Sequence, residues 1–273
     1  MMRQMGMLPF FLVAVVVLIL GASFTNSWAD DDDDGDEMPF KDAEIFIEFN
    51  STDGDTGIQV FLDDDGWKKI TIEDPNDLKI FQVKGEGTVK KLGLTELFFE
   101  SVEPELGDLS LEDFLDLFPE GYYEFEGKRN DGIELESEVA FTHIIPCGPE
   151  LVTPEEGDVL DPNSDVVIIW EEVTQVVDPT RTNEDVVVCE DSDDLEIENY
   201  QIIVESEDNE LNVILPAHAM ELTVPSEIIE ENTAYKFEVL AKEESGNQTI
   251  TESFFCTGPN LTEAECEALV DAL

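Results

Sequence analysis

The stretch Asn232–Phe255, "NTAYKFEVLAKEESGNQTITESFF", decides the fold class. Tyr235, Phe237 and Val239 alternate with Lys236 and Glu238, and a second alternating stretch follows. Successive side chains of a strand point to opposite faces, so this pattern marks a strand with one face on a core and one in water. Working outward, "IENYQIIVE" (Ile197–Glu205) is strand-like and carries Tyr200. The apolar run "DVVIIW" closes at Trp170, and a Pro/Gly-bounded lead, "GPELVTPEEGDVLDP" (Gly148–Pro162), precedes it.

Trp170, Tyr200 and Tyr235 in this order resemble the landmarks of a fibronectin type III domain, an immunoglobulin-like β-sandwich, over residues 148–257. Tyr235 is similar to the tyrosine-corner position, whose hydroxyl ties a loop back to the backbone. The resemblance implies a spacer or binding platform. The span Val173–Glu198 departs from it, being longer than a simple strand-to-strand loop, and loops of this length are commonly functional or disordered. The segment after Gly258, "NLTEAECEALVDAL", reads as a helical tail (258–273) with Thr262 as its cap and Glu265 three residues on.

Residues 42–146 show the same logic with different landmarks. "AEIFIEFN", "GIQVFL", "WKKITIED" and "LKIFQVKG" alternate between the turn signals "DGDTG", "DDDG", "DPND" and "KGEG". A hairpin, "YYEFEG" and "IELESEVAFTHIIP", closes the segment around "KRNDG". One helix interrupts it: in "LSLEDFLDLFPEG", Ser110 caps, Asp113 holds the capping-box position, and Pro119 and Gly121 stop the turn. The expected fold is all-β, two antiparallel sandwich domains joined by a stiff "PCGP" linker (Pro146–Pro149), with short helices. "TDGDTGIQVFLD" and "GLTELFFESVEP" resemble the N-terminal part of exported bacterial proteins that carry the fibronectin type III module. That likeness implies an interaction role outside the cell and brings no defined activity.

Arg3, the apolar run Leu8–Ala22 and small residues at Ser27 and Ala29 read as a secretory signal cleaved after Ala29. Residues 30–41 read as an acidic disordered lead. Its Asp30–Gly35 opens like an EF-hand loop, but Lys41 stands where the bidentate Glu is needed. The chain is therefore expected outside the cytoplasm: secreted, periplasmic or at the cell surface. Its 67 Asp and Glu against 13 Lys and Arg give a formal charge of −54. That surface repels phosphates and anionic lipid heads, so nucleic acid and anionic membranes are excluded as partners, leaving a protein or a glycan.

Four cysteines allow three pairings. On a fibronectin type III-like sandwich, Cys147 and Cys189 share one pole while Cys256 and Cys266 share the other. The resemblance thus implies Cys147–Cys189 and Cys256–Cys266.

Little chemistry is visible. His143 and His218 lack a second His or Cys at ligand spacing, and no nucleophile elbow, phosphate loop or dinucleotide fingerprint occurs. The chain reads as a non-enzyme with no required cofactor. Ca²⁺ is the one ion its oxygens suit, with Asp53 and Asp55 of "DGD" as the ligands of choice. Trp67, beside "DDDG", is the loop aromatic a glycan would use. Asn50, Asn247 and Asn260 begin glycosylation sequons. The leading function is binding or surface association; a Ca²⁺-stabilised module, or an accessory pair that binds polysaccharide or positions an enzyme, are the alternatives.

Overall fold

The computed structural model describes residues 37–258 and 261–270. The expected signal (residues 1–29), most of the expected acidic lead and the sequon residue Asn260 lie outside the described residues. The described residues form one compact unit.

The first half contains β1 (Glu37–Met38), β2 (Asp42–Asn50), β3 (Asp55–Glu73), β4 (Lys79–Lys84), α1 (Gly87–Leu92), β5 (Leu94–Glu100), α2 (Leu111–Leu117), β6 (Gly121–Arg129) and β7 (Glu134–Phe141). The all-β expectation holds, with corrections in detail. "GIQVFL" and "WKKITIED" are not two strands around a "DDDG" hairpin turn: they are one 19-residue strand, β3. β3 pairs first with β2 and β5, then with β4 and β6 after a register break between Asp63 and Trp67. Gly66, at φ 61°, supplies the left-handed residue that a bulge of this kind requires. The strand therefore bends instead of reversing. Order also begins earlier than Asp42, because Glu37–Met38 pairs parallel with β7 and Phe40 is buried in the first core. α2 has the expected Ser110 cap, which accepts from the Asp113 N–H (3.2 Å). α1 was not expected, since "GTVKKL" has no buried residue to give it a helical face.

The second half contains β8 (Leu151–Thr153), β9 (Asp158–Leu160), β10 (Val166–Trp170), β11 (Gln175–Val177), β12 (Cys189–Asp191), β13 (Ile197–Glu205), β14 (Glu210–Pro216), β15 (Glu221–Val224), β16 (Thr233–Glu243), β17 (Gln248–Thr257) and α3 (Glu263–Val270). A three-stranded sheet, β15-β10-β8, faces a four-stranded run, β14-β13-β16-β17. Between them lie Ile168, Trp170, Tyr200, Ile202, Phe237, Val239 and Phe255. Trp170 and Tyr200 rings meet with centroids 5.5 Å apart. The Tyr200 hydroxyl accepts from the Val173 N–H (2.9 Å), and the Tyr235 hydroxyl accepts from the Glu230 N–H five residues upstream (2.7 Å). This is a fibronectin type III-like β-sandwich.

The halves are not beads on a linker. β17 pairs in parallel with β2, Gln248↔Glu48 through Ile250↔Asn50, so one sheet passes through both. Each side keeps its own apolar core.

Candidate functional site

Two loop regions that would serve as binding loops on a free-standing sandwich are used up at the junction. The turn between β16 and β17 is built around Asn247, which is 1% exposed. Its Oδ1 accepts from the Ile47 N–H (2.8 Å), and its Nδ2 donates to the Thr142 and Ile144 carbonyls (3.0 and 2.9 Å). Thr249 Oγ1 donates to the Pro146 carbonyl (2.5 Å) and Ser51 Oγ to that of Ile250 (2.8 Å). A buried side chain with every polar atom engaged cannot present itself to a glycosyltransferase, so the sequon at Asn247 is a structural residue of the junction. Asn50 is also committed: its Oδ1 accepts from the Thr52 N–H (2.9 Å) and its Nδ2 donates to Glu252 (2.7 Å).

The long insertion after β10 is likewise structural. Its β11 and β12 pair with each other, and the Val177 N–H donates to the Ile145 carbonyl (2.9 Å). Val177, Val187 and Cys189 pack against the first half's core. The Cys147–Cys189 disulfide fastens it, with Cα atoms 6.2 Å apart, and Cys256–Cys266 ties α3 to β17 at 5.7 Å. Asp178 is held at about 2 by the Thr180 hydroxyl and then Arg181. The insertion is a strap over the other half, not an open loop.

Asp53 lies in the turn between β2 and β3, and Asp55 opens β3 opposite Asn50, beside the β2–β17 junction. Burial, then Asp53, Glu252 and Glu105, push Asp55 up to about 6. Burial, then Glu252, raises Asp53, with Lys236 opposing. Along the seam, Glu48 is pushed up to about 8 by burial, against hydrogen bonds from Gln248 and Gln59. Glu103 and Glu238 rise to about 7, also through burial first. Crowded carboxylates explain the shifts, since withdrawal from water and like charge both disfavour ionisation. Among the described residues no three His, Cys, Asp or Glu side chains are grouped to hold a metal.

Trp67 is corrected outright. It is 1% exposed, packs in the first core and donates Nε1–H to the Thr95 carbonyl (3.2 Å). Sitting where β3 bends, it fills the corner and offers no face to a sugar. Asp64 beside it is buried, and Asp65 pairs with Lys41 and Arg129. His143 Nε2 bonds the Phe118 carbonyl (2.7 Å), a structural tie and not a free base.

Among the edges of the sandwich are the outer side of β14 and, in the smaller sheet, β8 and β15. Among the described residues β14 pairs only with β13. Its sequence, "ELNVILP", carries one charge, Glu210, and Ile214 is exposed. The strand order, not the local sequence, shows that this strand lies at an edge.

No family model and no curated protein matches the sequence. Among solved structures the chain is similar to the FN1–FN3 domains of chicken CNTN1, at TM-score 0.30 and 11% identity. That match covers 82% of this chain and 65% of that one. It is also similar to a two-domain fibronectin type III segment of chicken tenascin, at TM-score 0.26 and 8% identity, over 80% of this chain and 99% of that one. The fold itself rests on the strand order, the two tyrosine ties and the paired cores described above.

Proposed function

We propose that the protein is a non-enzymatic binding module that works outside the cytoplasm, recognising a protein partner through the free edge of β14. Two disulfides support an oxidising compartment. No helix among the described residues is long and apolar enough to cross a membrane. The observation that carries the reading is the unpaired β14 edge. An exposed strand presents a row of N–H and C=O groups that an extended segment of a partner completes, and natural edges are usually guarded by charge or a bulge. Here the middle of the edge, Leu211–Leu215, has no charge. The β16–β17 turn and the long insertion are consumed at the junction, whereas β14 lies at an edge of the larger sheet and carries an uncharged, partly exposed middle.

The test is capture from the native extracellular fraction with the mature chain and with Ile214→Lys. Retention of a protein by the parent and its loss from the variant supports the reading. Equal capture by both removes the edge from it.

A further inference from the structure

The groups that β14 turns outward narrow the chemistry of whatever pairs with it. The Ser206 N–H donates to the Asn209 carbonyl (2.8 Å) and closes the β13–β14 hairpin. Hydrogen-bonded pairs alternate along an antiparallel ladder, so Leu211, Val213 and Leu215 spend their N–H and C=O groups on β13. Glu210, Asn212 and Ile214 therefore turn theirs outward, and among the described residues no other strand takes them. Side chains sort the same way. Leu211, Val213 and Leu215 stand beside Val204, Ile202 and Tyr200 on the core side, while Glu210, Asn212 and Ile214 share the outer face.

Both sheets of the sandwich end on this flank. β9, which follows β8, pairs with β17 at the side of the run away from β14, so the opposite end of the smaller sheet, β15, lies on the β14 side. Only Ala217–Met220 joins β14 to β15. Leu211, Leu215, Met220 and Leu222 pack against the sandwich core there but are only partly buried. The flank is also acidic without relief. From Thr182 to Tyr235, the span that contains β13, β14 and β15, the chain has sixteen Asp and Glu and no Lys or Arg. Eight of its thirteen cationic residues instead fall between Lys68 and Arg129, in the other half. Exposed Glu210 stands opposite Glu205, with Glu207 and Asp208 in the turn between them. Lys236, across from Glu205, is engaged by Glu238 and Glu252.

Resting on β14 as the recognition edge, we infer that its partner is an extended cationic segment in which Lys or Arg alternates with apolar residues. Added antiparallel to β14, the segment hydrogen-bonds to Glu210, Asn212 and Ile214. Its residues opposite these three lie on the outer face, where cationic side chains meet Glu210 and Glu205. Opposite charges on neighbouring strands stabilise the pairing. Its residues opposite Leu211, Val213 and Leu215 turn toward the flank, where apolar side chains cover Leu211, Leu215, Met220 and Leu222 and withdraw them from water. Charge selects this occupant over a second copy of the chain. A copy docked on the same edge sets one acidic flank against another, which like charge opposes.

The experiment is calorimetric titration of the protein with three peptides: Lys-Val-Lys-Val-Lys-Val-Lys, its block isomer of four lysines followed by three valines, and Glu-Val-Glu-Val-Glu-Val-Glu. The alternating cationic peptide should bind about tenfold or more tighter than its block isomer, and Ile214→Lys should weaken it by about tenfold or more. Salt should weaken it as well, and the acidic peptide should not bind. N-methylation of the lysine amides, which face β14, should abolish binding, whereas N-methylation of the valine amides, which face away, should leave it. That arm changes only the peptide, so it stands whether or not a variant folds. Equal affinity of the two isomers, or of the two methylated forms, overturns the assignment and leaves unspecific charge attraction. Sedimentation that shows a dimer dissolved by Ile214→Lys makes a second copy the occupant and overturns it too. Partner capture lost in Ile214→Lys, with no peptide bound by the parent, removes the cationic chemistry and leaves the β14 edge standing; equal capture by parent and variant removes both.

Discussion

The Tyr235 hydroxyl does what its sequence position implies, and the Tyr200 hydroxyl makes a second tie that the sequence did not announce. Tyr235 receives the Glu230 N–H at 2.7 Å and Tyr200 the Val173 N–H at 2.9 Å. Both rings are buried, so removing either oxygen leaves a backbone donor short of its partner. Tyr235→Phe should therefore cost about 1–2 kcal/mol in urea unfolding with an unchanged m value. No loss of midpoint would mean that water replaces the hydroxyl. Tyr235 was legible because it stands near the start of an alternating strand with Phe237 and Val239 on the same face. Trp67 was not legible. Beside three aspartates and a glycine it reads as a loop residue, and only the register of β3 with β5 and β6 shows that the chain bends there around a buried indole. Composition near a residue does not say whether the backbone turns or kinks.

At the scale of elements, strand periodicity gave the alternating stretches and capping chemistry gave α2. What it missed are the long-range choices: the parallel pairing of β2 with β17, and the insertion that straps across the other half. Neither has a local signal, since pairing partners 200 residues apart leave no spacing to read. The strap makes the two disulfides unequal. Cys147–Cys189 closes 42 residues and Cys256–Cys266 closes 10. In the chain-entropy picture their loss costs about 4 and about 3 kcal/mol respectively. Losing the first also frees Val177 and Val187 from the core they cover. The Cys147→Ser/Cys189→Ser double variant should thus unfold at lower denaturant than Cys256→Ser/Cys266→Ser. The reverse order would mean that the insertion adds nothing to the first core. The hub at Asn247 belongs to the same element pair. Asn247→Ala strands the Ile47 N–H and two carbonyls in a buried site, an effect on the order of 3 kcal/mol or more. Unfolding should remain a single transition, because both halves lose their joint together.

For the whole molecule the acidic charge was the plainest feature of the sequence, yet its structural consequence lies in where the acids are, not in how many. The seam between the halves holds Glu48, Asp55, Glu103 and Glu238, raised to about 8, 6, 7 and 7 by burial and mutual repulsion. Their usual values are 4.5 for Glu and 3.8 for Asp. Across the window between usual and raised values the folded chain holds protons that the unfolded chain has released, so stability falls as pH rises through it. Acidification from about pH 8 to about pH 5 should therefore raise the melting temperature at fixed high ionic strength, on the order of 5 °C for a chain of this size. Further acidification reverses the gain. Asp178, held at about 2, supplies stability that is present above its ordinary 3.8 and is lost as pH falls toward 2. Maximum stability should consequently sit near pH 5. Glu48→Gln isolates the cause: it removes the most strongly raised group while keeping an amide where the protonated acid would be, so it should flatten the slope between about pH 8 and about pH 5. A melting temperature that stays level or drops over that interval in the parent would show the seam to be solvated, and the junction between the halves to be held by Asn247 and the β2–β17 pairing without an electrostatic opponent.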